Sequence, residues 1–431
     1  MGESTAANPT ELPRPPRGVR WTAMFFMSLA MFGNYYVYDS IAPVADLLKN
    51  QLGFNDEKIG QLYSIYSVAA VIVLLISGYV IDRAGTKVST FVFAVLCLLG
   101  GILTAASADF RVMLAGRFVL GLGAESLIVA VTTALAKWFK GKELGLAFGV
   151  NLTIARLGSF ASDWSPTWAK FSFDTWQGPL VVAAWIGAAC VLGAGAYWFI
   201  EHRSERRYEL GQAGAIDKLD FKDLFRFDKS YWYVVFLCLT FYSAIFPFRS
   251  FAIKFFIEAH GTSRELGGQL NSIIVFAAMI ATPLFGLMTD KLGKRALFMA
   301  VGSVLLLPVY LMMAYQVVHL YVPVTMMGIA FSLIPAILWP SVAYLVEQHR
   351  LGSAYALMTL IQQIGFAIMN WLIGKTNDIY HAGPNNPAGY TPGMWIFSIL
   401  GLVGLTFSYL LWRAESGPKA HGLETVKVGA E

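Results

Sequence analysis

The sequence predicts an all-α membrane protein in which twelve transmembrane helices form two bundles of six. Of its 431 residues, 56% are hydrophobic and only 14% are charged, too few charges to cover a water-soluble protein of this length. About twelve apolar stretches have close to the length of ~20 residues that a helix needs to cross the hydrocarbon of a bilayer. A ten-residue pattern from the first half also recurs in the second half. Such a repeat indicates two related structural units.

The predicted spans are runs of apolar residues bounded by charged or glycine-containing loops. In the first bundle, residues 21–200, they cover 21–46, 59–81, 88–107, 110–136, 143–169 and 178–200. In the second bundle, residues 230–413, they cover 231–257, 266–289, 296–317, 320–346, 352–375 and 393–413. The remaining segments are a disordered tail (1–20), a highly charged linker (201–229) and a second tail (414–431).

Lysine and arginine are distributed unevenly between the two sides of this arrangement. The side that carries both termini has 22 of them, whereas the opposite loops have six. Cytoplasmic loops of membrane proteins carry such an excess, so both termini are predicted to be cytoplasmic. The net charge of +5 therefore follows membrane sidedness, and no nucleic-acid partner is expected.

Enzymatic chemistry, metal binding and cofactor binding are not predicted. All six histidines fall in loops or tails, and no nucleophile stands beside a base. Cys97, Cys190 and Cys238 lie inside predicted spans, which is typical of small buried residues rather than of a disulfide framework. The expected partners are a small-molecule substrate and the lipid bilayer.

The repeated pattern consists of a glycine, an acidic residue one turn later, and a glycine turn followed by basic residues. Its copies are GYVIDRAGTK at residues 78–87 and GLMTDKLGKR at residues 286–295. This pattern resembles the loop signature between helices 2 and 3 of the major facilitator superfamily, which implies a transporter of that fold. The charged groups could close the cytoplasmic side through basic neighbours or helix N-termini, or simply follow the charge bias of inside loops. The expected closing residues are Asp82, Arg83, Lys87, Asp290 and Lys291.

Six ionisable residues are predicted to lie at membrane depth, and they are the main candidates for function. They are Asp39, Arg117, Glu125, Arg156, Arg249 and Lys254. A charge at the bilayer centre costs about 3 kcal/mol even on lenient insertion scales, so such residues usually pair or line a water-filled path. We therefore expect each of the six to bind substrate, to take part in opening and closing, or to have a partner.

Arg117 lies in the segment GRFVLGLGAE, residues 116–125. This segment is similar to the arginine-and-glycine signature on the fourth helix of the superfamily. Its glycines allow neighbouring helices to approach closely. Two roles stay open for Arg117: an anchor that binds backbone carbonyls, or a participant in proton or substrate movement.

Glu125 and Arg156 are predicted to lie at similar depth in neighbouring antiparallel helices. Glu125 is 12 residues from Lys137, and Arg156 is 14 residues from both Lys142 and Lys170. One interpretation is a buried salt bridge, but a buried ion pair rarely gains more than it loses in desolvation. The other is a zwitterion site, in which Arg156 binds a carboxylate with two parallel hydrogen bonds and Glu125 accepts from an amine. This interpretation predicts an amino-acid-like or peptide-like substrate.

The seventh helix places two further positive charges in the outer half of the second bundle. Arg249 and Lys254 follow Pro247, which weakens a helix because it has no backbone N–H to donate. Lys254 could attract a carboxylate or pair with Asp39 across the bundle interface. Arg249 could contact substrate or extend to the outer headgroups.

Aromatic and amide side chains within the spans are expected to complete a substrate cavity. Most intramembrane tyrosines pack in the core or lie at the membrane interface, so each one has an ordinary alternative. Trp339 precedes Pro340, and a large ring beside a breakable helix is what a gate requires. The expected lining residues are Tyr63, Tyr66, Trp339 and Gln362, with Tyr35, Tyr36, Tyr38 and Gln363 as further candidates.

Further short segments carry a more specific pattern. They are ESL (125–127), WFKGKEL (138–144), ARLGS (155–159), FPF (246–248) and LWP (338–340). Together they resemble the lysosomal dipeptide uniporter family of the superfamily, over roughly residues 35–375. The resemblance implies that Glu125 holds the amino terminus of a peptide and Arg156 its carboxylate. Arg249 is not part of the family pattern, which leaves the preferred charge of the substrate open.

We therefore predict an alternating-access transporter of dipeptides or similar small zwitterions, acting as a uniporter or with weak proton linkage. An exchanger of organic anions or amino acids is the alternative, because positive charges at membrane depth outnumber negative ones. A non-transporting membrane sensor is a third possibility. The animal relatives use a sorting signal and a glycosylated partner. No such signal is visible in this sequence, so we expect a transporter of a bacterial-type inner membrane. We also expect a monomer, and any accessory subunit stays undefined.

Overall fold

The computed structural model describes residues 13–139, 143–211, 227–418 and 420–425, and almost all of them are helical. The helices of the first half are α1 (Arg17–Asp39), α2 (Ala45–Leu52), α3 (Asp56–Leu74), α4 (Ser77–Ala84), α5 (Thr86–Ala106), α6 (Phe110–Phe139), α7 (Leu144–Asp163), α8 (Ser165–Trp168) and α9 (Gln177–Ser204). Those of the second half are α10 (Lys229–His260), α11 (Arg264–Leu292), α12 (Arg295–Ala314), α13 (Tyr321–Leu333), α14 (Trp339–Leu345), α15 (Leu351–Ile379) and α16 (Thr391–Glu415). A π-helical segment, Ile334–Leu338, joins α13 to α14.

The expected all-α membrane architecture is confirmed. In the described ranges, eleven helical stretches are long and apolar enough to cross a membrane. The helix α1 is not among them, because its 23 residues include three tyrosines, Asn34 and Asp39, which lower its hydropathy. It nevertheless packs along α7 and α9, as a twelfth span of the first bundle should.

Two predicted spans are interrupted. The span at 59–81 divides into α3 and α4 at Leu75 and Ile76, next to a Ser-Gly pair of the kind that often kinks helices. The span at 320–346 widens into the π-helical segment between α13 and α14. Pro335 and Pro340 cannot donate backbone hydrogen bonds there, so the regular ladder cannot continue. The breakable helix expected beside Trp339 is therefore present.

The two halves use the same set of helix contacts, as their sequence repeat predicts. In the first half, α1 packs on α9, α5 on α6 and α9, and α3 on α6. In the second half, α10 packs on α16, α12 on α13 and α16, and α11 on α13. Each pair of the first half thus has its counterpart in the second half.

The halves meet at one end of the molecule. We call the side where α1 begins and α16 ends the terminus face, and the opposite side the far face. Apolar residues of the first half near the far face, such as Ile41, Leu48 and Phe54, belong to the same buried cluster as the core of the second half. The rest of the first half has a separate core. The two halves are therefore packed together at the far face.

The predicted tails and linker lie partly outside the described residues, which omit 1–12, 212–226, 419 and 426–431 in these segments. The first helix begins at Arg17, slightly before the predicted end of the first tail. Near the C-terminus, Leu423 is fully buried and the Glu424 carboxylate accepts a hydrogen bond from the Ala296 N–H. This part of the second tail is therefore packed against the start of α12.

Candidate functional site

A cavity of about 450 Å³ lies between the two halves. Its walls come from α1, α3, α6 and α7 of the first half and from α10, α14, α15 and the π-helical segment of the second. Small-molecule sites typically have volumes of roughly 300–1,000 Å³. The predicted site residues on its walls are Asp39, Tyr66, Glu125, Arg156, Arg249, Trp339 and Gln362.

Glu125 has one carboxylate oxygen bound by protein and one left for a ligand. Its Oε1 accepts hydrogen bonds from the Tyr66 hydroxyl at 2.9 Å and from Nε2 of Gln363 at 3.0 Å. Gln363 belongs to the second half, so this bond crosses the cavity. No donor in the described part of the chain reaches Oε2, although a carboxylate accepts at both oxygens.

Arg156 lies on α7 without a carboxylate partner among the residues that the structure describes. Its guanidinium carbon is 4.5 Å from the ring centroid of Phe331, within cation–π range. Tyr35 is near enough to interact electrostatically with both Arg156 and Glu125. The Arg156–Glu125 salt bridge, which the sequence left open, is not formed. A cation and a carboxylate therefore line one cavity without neutralising each other.

The cavity is closed toward the far face by a cluster around Arg249. Its Nη2 lies 2.8 Å from an oxygen of Asp163 and 3.6 Å from an oxygen of Asp39. Asn271 donates to the other Asp163 oxygen at 2.8 Å. Arg249 is buried, so it does not extend to headgroups. Because Asp39 and Asp163 lie in the first half and Arg249 in the second, the cluster joins the halves.

Lys254 lies outside the cavity, and it does not pair with Asp39, which was one of the two roles that the sequence left open. Its Nζ is 2.8 Å from Asp56, 2.9 Å from Glu258 and 2.6 Å from the Tyr390 hydroxyl. Lys254 follows Arg249 by five residues, roughly 7.5 Å along α10 toward the far face, where Asp56 begins α3. Arg249 therefore pairs with Asp39, and Lys254 pairs with Asp56.

A helix cap also crosses between the halves on the far face. The carboxylate of Asp378, at the end of α15, accepts from the backbone N–H groups of Asp56 at 2.9 Å and Glu57 at 2.8 Å. A carboxylate at a helix N-terminus binds free N–H groups and meets the positive end of the dipole. The remaining cross-half ion pairs on this face in the described residues join Arg264 to Asp46, Lys49 to Glu258 and Lys170 to Glu265.

Arg117 acts as an anchor in this structure. Its guanidinium donates to the carbonyls of Val37, Tyr38 and Leu62 at 3.1–3.3 Å. It also lies beneath the rings of Tyr38, Tyr63 and Tyr66, with its carbon 5.2–5.6 Å from their centroids. Arg117 and Tyr63 are therefore behind the cavity wall, where they hold α1 and α3 against α6.

The other predicted lining residues have partners within the second half. Trp339 Nε1 donates to the Tyr242 hydroxyl at 3.0 Å, and the Cys238 thiol donates to the side-chain oxygen Oε1 of Gln362 at 3.6 Å. Gln363, one position further along, contacts Glu125 instead. Sequence reasoning named both glutamines but preferred Gln362 to Gln363, and it overlooked Asp163. Asp163 could have been identified from the sequence, because it is a carboxylate inside the predicted span 143–169.

The predicted closing residues lie on the terminus face. Those of their contacts that the structure describes are with residues of the same half. Lys87 pairs with Glu205, Arg83 donates to Tyr79, and Asp290 is 3.6 Å from Arg295. Partial burial disfavours the charged form of Glu205, but Lys87 and Lys137 outweigh it and lower the pKa of its carboxyl. A closing role on this face belongs to a different conformation from the one seen here and stays a prediction.

The fold and the cavity define a membrane transporter with two related bundles and a central site. The profile of the Major Facilitator Superfamily matches residues 27–370 and 248–427. The chain belongs to the major facilitator superfamily.

Within the superfamily, the chain is similar to proteins named lysosomal dipeptide transporter MFSD1. The protein from Danio rerio is 34% identical over 377 residues, which cover 84% of this chain and 81% of the relative. The protein from Homo sapiens is 32% identical over 418 residues, with coverage of 92% and 87%. The hexuronate transporter of Escherichia coli K12 is 25% identical over 193 residues, 45% of this chain and 44% of that protein.

Solved structures resemble the fold at low sequence identity. A bacterial homologue of the human lysosomal transporter Spinster, in an inward-facing and occupied conformation, superimposes with a TM-score of 0.74 at 15% identity. The superposition covers 93% of this chain and 98% of the chain in the solved structure. A point mutant of the nucleoside transporter NupG gives a TM-score of 0.72 at 15% identity, with coverage of 90% and 100%. At this identity the likeness shows the fold alone.

Proposed function

We propose that this protein moves dipeptides or similarly small zwitterions across its membrane by alternating access. The observation that carries the proposal is the pair Glu125 and Arg156, which line one cavity but do not pair with each other. An unpaired charge at membrane depth is expensive. A ligand with one amine and one carboxylate would supply both missing partners. The names of the curated relatives agree with this substrate class.

A dipeptide and a single amino acid differ in the distance between their two charged groups. An extended chain advances about 3.3–3.6 Å per residue, so the charged termini of a dipeptide can lie up to roughly 7 Å apart. In an amino acid both groups are bonded to the same carbon. Glu125 and Arg156 do not form an ion pair, so a zwitterion of either length could lie between them, and the names of the relatives favour the dipeptide. The planar guanidinium of Arg156 matches a carboxylate with two parallel hydrogen bonds.

The alternative of an anion exchanger loses its main support. It rested on an excess of positive charge at membrane depth. Arg249 is matched by Asp39 and Asp163, and Lys254 is matched by Asp56 and Glu258. Arg156 is then the cavity cation without a carboxylate partner in the described residues. One such cation favours a single carboxylate over a dianion.

We also infer that both termini face the cytoplasm and that the protein acts in the inner membrane. The excess of lysine and arginine on the terminus face supports this orientation. A monomer suffices for the proposed cycle, because one chain supplies both walls of the cavity. Uniport is the simplest coupling, and weak proton linkage would have to use Asp39 or Glu125.

The proposal is tested by ligand-induced stabilisation of the purified protein. A ligand that binds only the folded state raises the melting temperature. We expect alanyl-alanine to raise it, and its N-acetyl and C-amide derivatives to have little effect, because each has lost one charged terminus. Succinate and alanine serve as controls. Stabilisation by succinate alone would contradict the proposal and favour an anion exchanger.

A further inference from the structure

We propose that Gln363 completes the amine-binding part of the cavity from the second half, so that a primary ammonium group bridges the two halves. The inference rests on the proposed function and adds to it a residue that selects primary amines. Gln363 lies on α15, and its Nε2 donates to Glu125 Oε1 at 3.0 Å across the cavity. It lines the cavity with Glu125, Tyr66 and Arg156.

The carboxamide of Gln363 is only half satisfied. The side chain is buried, and its Oε1 has no hydrogen-bond partner among the described residues. Leaving a buried acceptor without a donor is costly, and exceptions of this kind call for an explanation. A ligand that brings donors to this position would remove the cost.

An ammonium group has the donors that this corner of the cavity lacks. It carries three N–H donors and no acceptor. Two unused acceptors lie on adjacent side chains, Oε2 of Glu125 and Oε1 of Gln363. The Tyr66 hydroxyl, which donates to Glu125, keeps lone pairs that can serve as a third acceptor. A primary ammonium can therefore use all three of its donors here.

Binding would also change the contact between the halves. The Gln363 oxygen is shielded in the observed arrangement, so the carboxamide must rotate before it faces the amine. Rotation breaks the bond from Nε2 to Glu125, and the ammonium replaces it with a bridge from Glu125 to Gln363. Occupancy of the amine site is thereby coupled to the interface on which alternating access depends.

The proposal predicts an order of binding affinity among ligands that differ in their amine group. A primary ammonium offers three N–H groups, an N-methyl ammonium two, and an N-acetyl amide one without charge. One hydrogen bond to a charged group corresponds to about a tenfold or greater difference in affinity. We expect alanyl-alanine to compete about tenfold better than its N-methyl derivative.

The neighbouring Gln362 provides a matched control. It lies on the same helix and lines the same cavity, but its contact in the structure is with Cys238 and not with Glu125. Replacing either glutamine by methionine keeps side-chain length and removes the amide. Only Gln363→Met should affect the choice between primary and secondary amines.

The experiment measures competition against labelled alanyl-alanine uptake into proteoliposomes. Gln363→Met should reduce the preference for the primary amine to about twofold or less, whereas Gln362→Met should keep the wild-type preference. Gln363→Glu lacks the N–H but keeps an acceptor oxygen, so it should also keep the preference. This variant decides the question if Gln363→Met fails to fold.

The outcomes separate this inference from the proposed function. Wild-type protein that takes up no alanyl-alanine contradicts the proposed function, and the inference with it. Wild-type uptake with an unchanged amine preference in Gln363→Met overturns the inference alone. Loss of the preference in Gln363→Glu also overturns it, because that variant retains the acceptor.

Discussion

Two arginines of the first half show how the partners of a buried charge decide its role. Arg117 donates to three backbone carbonyls and is completely buried. Arg156 faces the cavity, packs its guanidinium against the ring of Phe331 and has no carboxylate partner in the described residues. A charge with satisfied donors supports the fold, whereas one kept unpaired at membrane depth is retained at a cost and points to function.

This difference predicts that the two arginines contribute unequally to stability. Arg117→Met removes the donors of three buried carbonyls and should lower the free energy of unfolding by about 3 kcal/mol or more. Arg156→Met, the matched control, removes no hydrogen bond between described residues and should change it by less than about 1 kcal/mol. Thermal unfolding in detergent, followed by tryptophan fluorescence, measures both. Equal losses in the two variants would contradict the assigned roles.

A pH-dependent contribution is expected at the terminus face. The pKa of Glu205 lies below its ordinary value of 4.5, despite partial burial, because Lys87 and Lys137 outweigh that burial. Its interactions therefore stabilise the protein above pH 4.5, and this stabilisation is lost as the pH falls through the lower, folded-state pKa. Glu205→Gln should melt below the wild type at pH 7, and the gap should narrow on acidification. A gap that widens in acid would refute the sign of this effect.

At the scale of helices, α3 and α15 form the most extensive contact between the halves. A Cβ at Gly60 would lie 2.2 Å from the carbonyl oxygen of Asn370, and one at Gly374 would lie 2.3 Å from that of Asp56. Both distances are far below van der Waals contact, so only glycine allows this approach. The close approach of α3 and α15 therefore depends on two missing side chains, one on each helix.

Enlarging one of these glycines should open the far face. In Gly374→Val the side chain overlaps the α3 backbone, so the closed arrangement loses stability relative to one open at the far face. Gly286→Val is the control, because a Cβ at Gly286 meets nothing within 4 Å. The native cysteines are all buried, so Thr359→Cys provides a single reporter in the cavity. An impermeant thiol reagent on the far side should label Gly374→Val faster than Gly286→Val, and equal rates would exclude this role.

At the scale of the whole molecule, the cross-half ion pairs in the described residues lie toward the far face. Arg249 and Lys254 from the second half each bind carboxylates of the first half within buried surroundings. Separating such pairs leaves unpaired charges unless water or a ligand replaces the partner. Opening the far face requires these buried ion pairs to break. They therefore stabilise the observed arrangement, in which the far face is closed.

Burial should decide which of these ion pairs matters. Lys254→Met leaves Asp56 without its buried cation and should shift the population toward the far-open arrangement. Lys170→Met removes a pair in which the lysine side chain is 76% exposed, and such pairs contribute roughly 0–1 kcal/mol. The Thr359→Cys reporter should react faster from the far side only in Lys254→Met. Equal labelling of both variants would contradict this view of closure.

The sequence predicts the fold more completely than the site, for a physical reason. Hydropathy and internal repeats are local properties, so the spans and their pairing follow from them. The partners of Arg249 and Lys254 depend on which side chains of distant helices face each other across the interface. A shift of five residues along α10 was enough to exchange Asp39 for Asp56. Gln363 differs from Gln362 only in the helix face it occupies, and one residue turns the side chain by about 100°.

The most direct test of the function is uptake of labelled alanyl-alanine by proteoliposomes containing wild type, Glu125→Gln, Arg156→Lys or Arg156→Ala. If Glu125 and Arg156 bind the two termini, wild type transports the dipeptide and Arg156→Ala loses uptake by about a hundredfold, the value of a bidentate charged contact. Arg156→Lys should retain part of it, because charge remains while the paired hydrogen bonds are lost. Unchanged uptake in Arg156→Ala would contradict the zwitterion site.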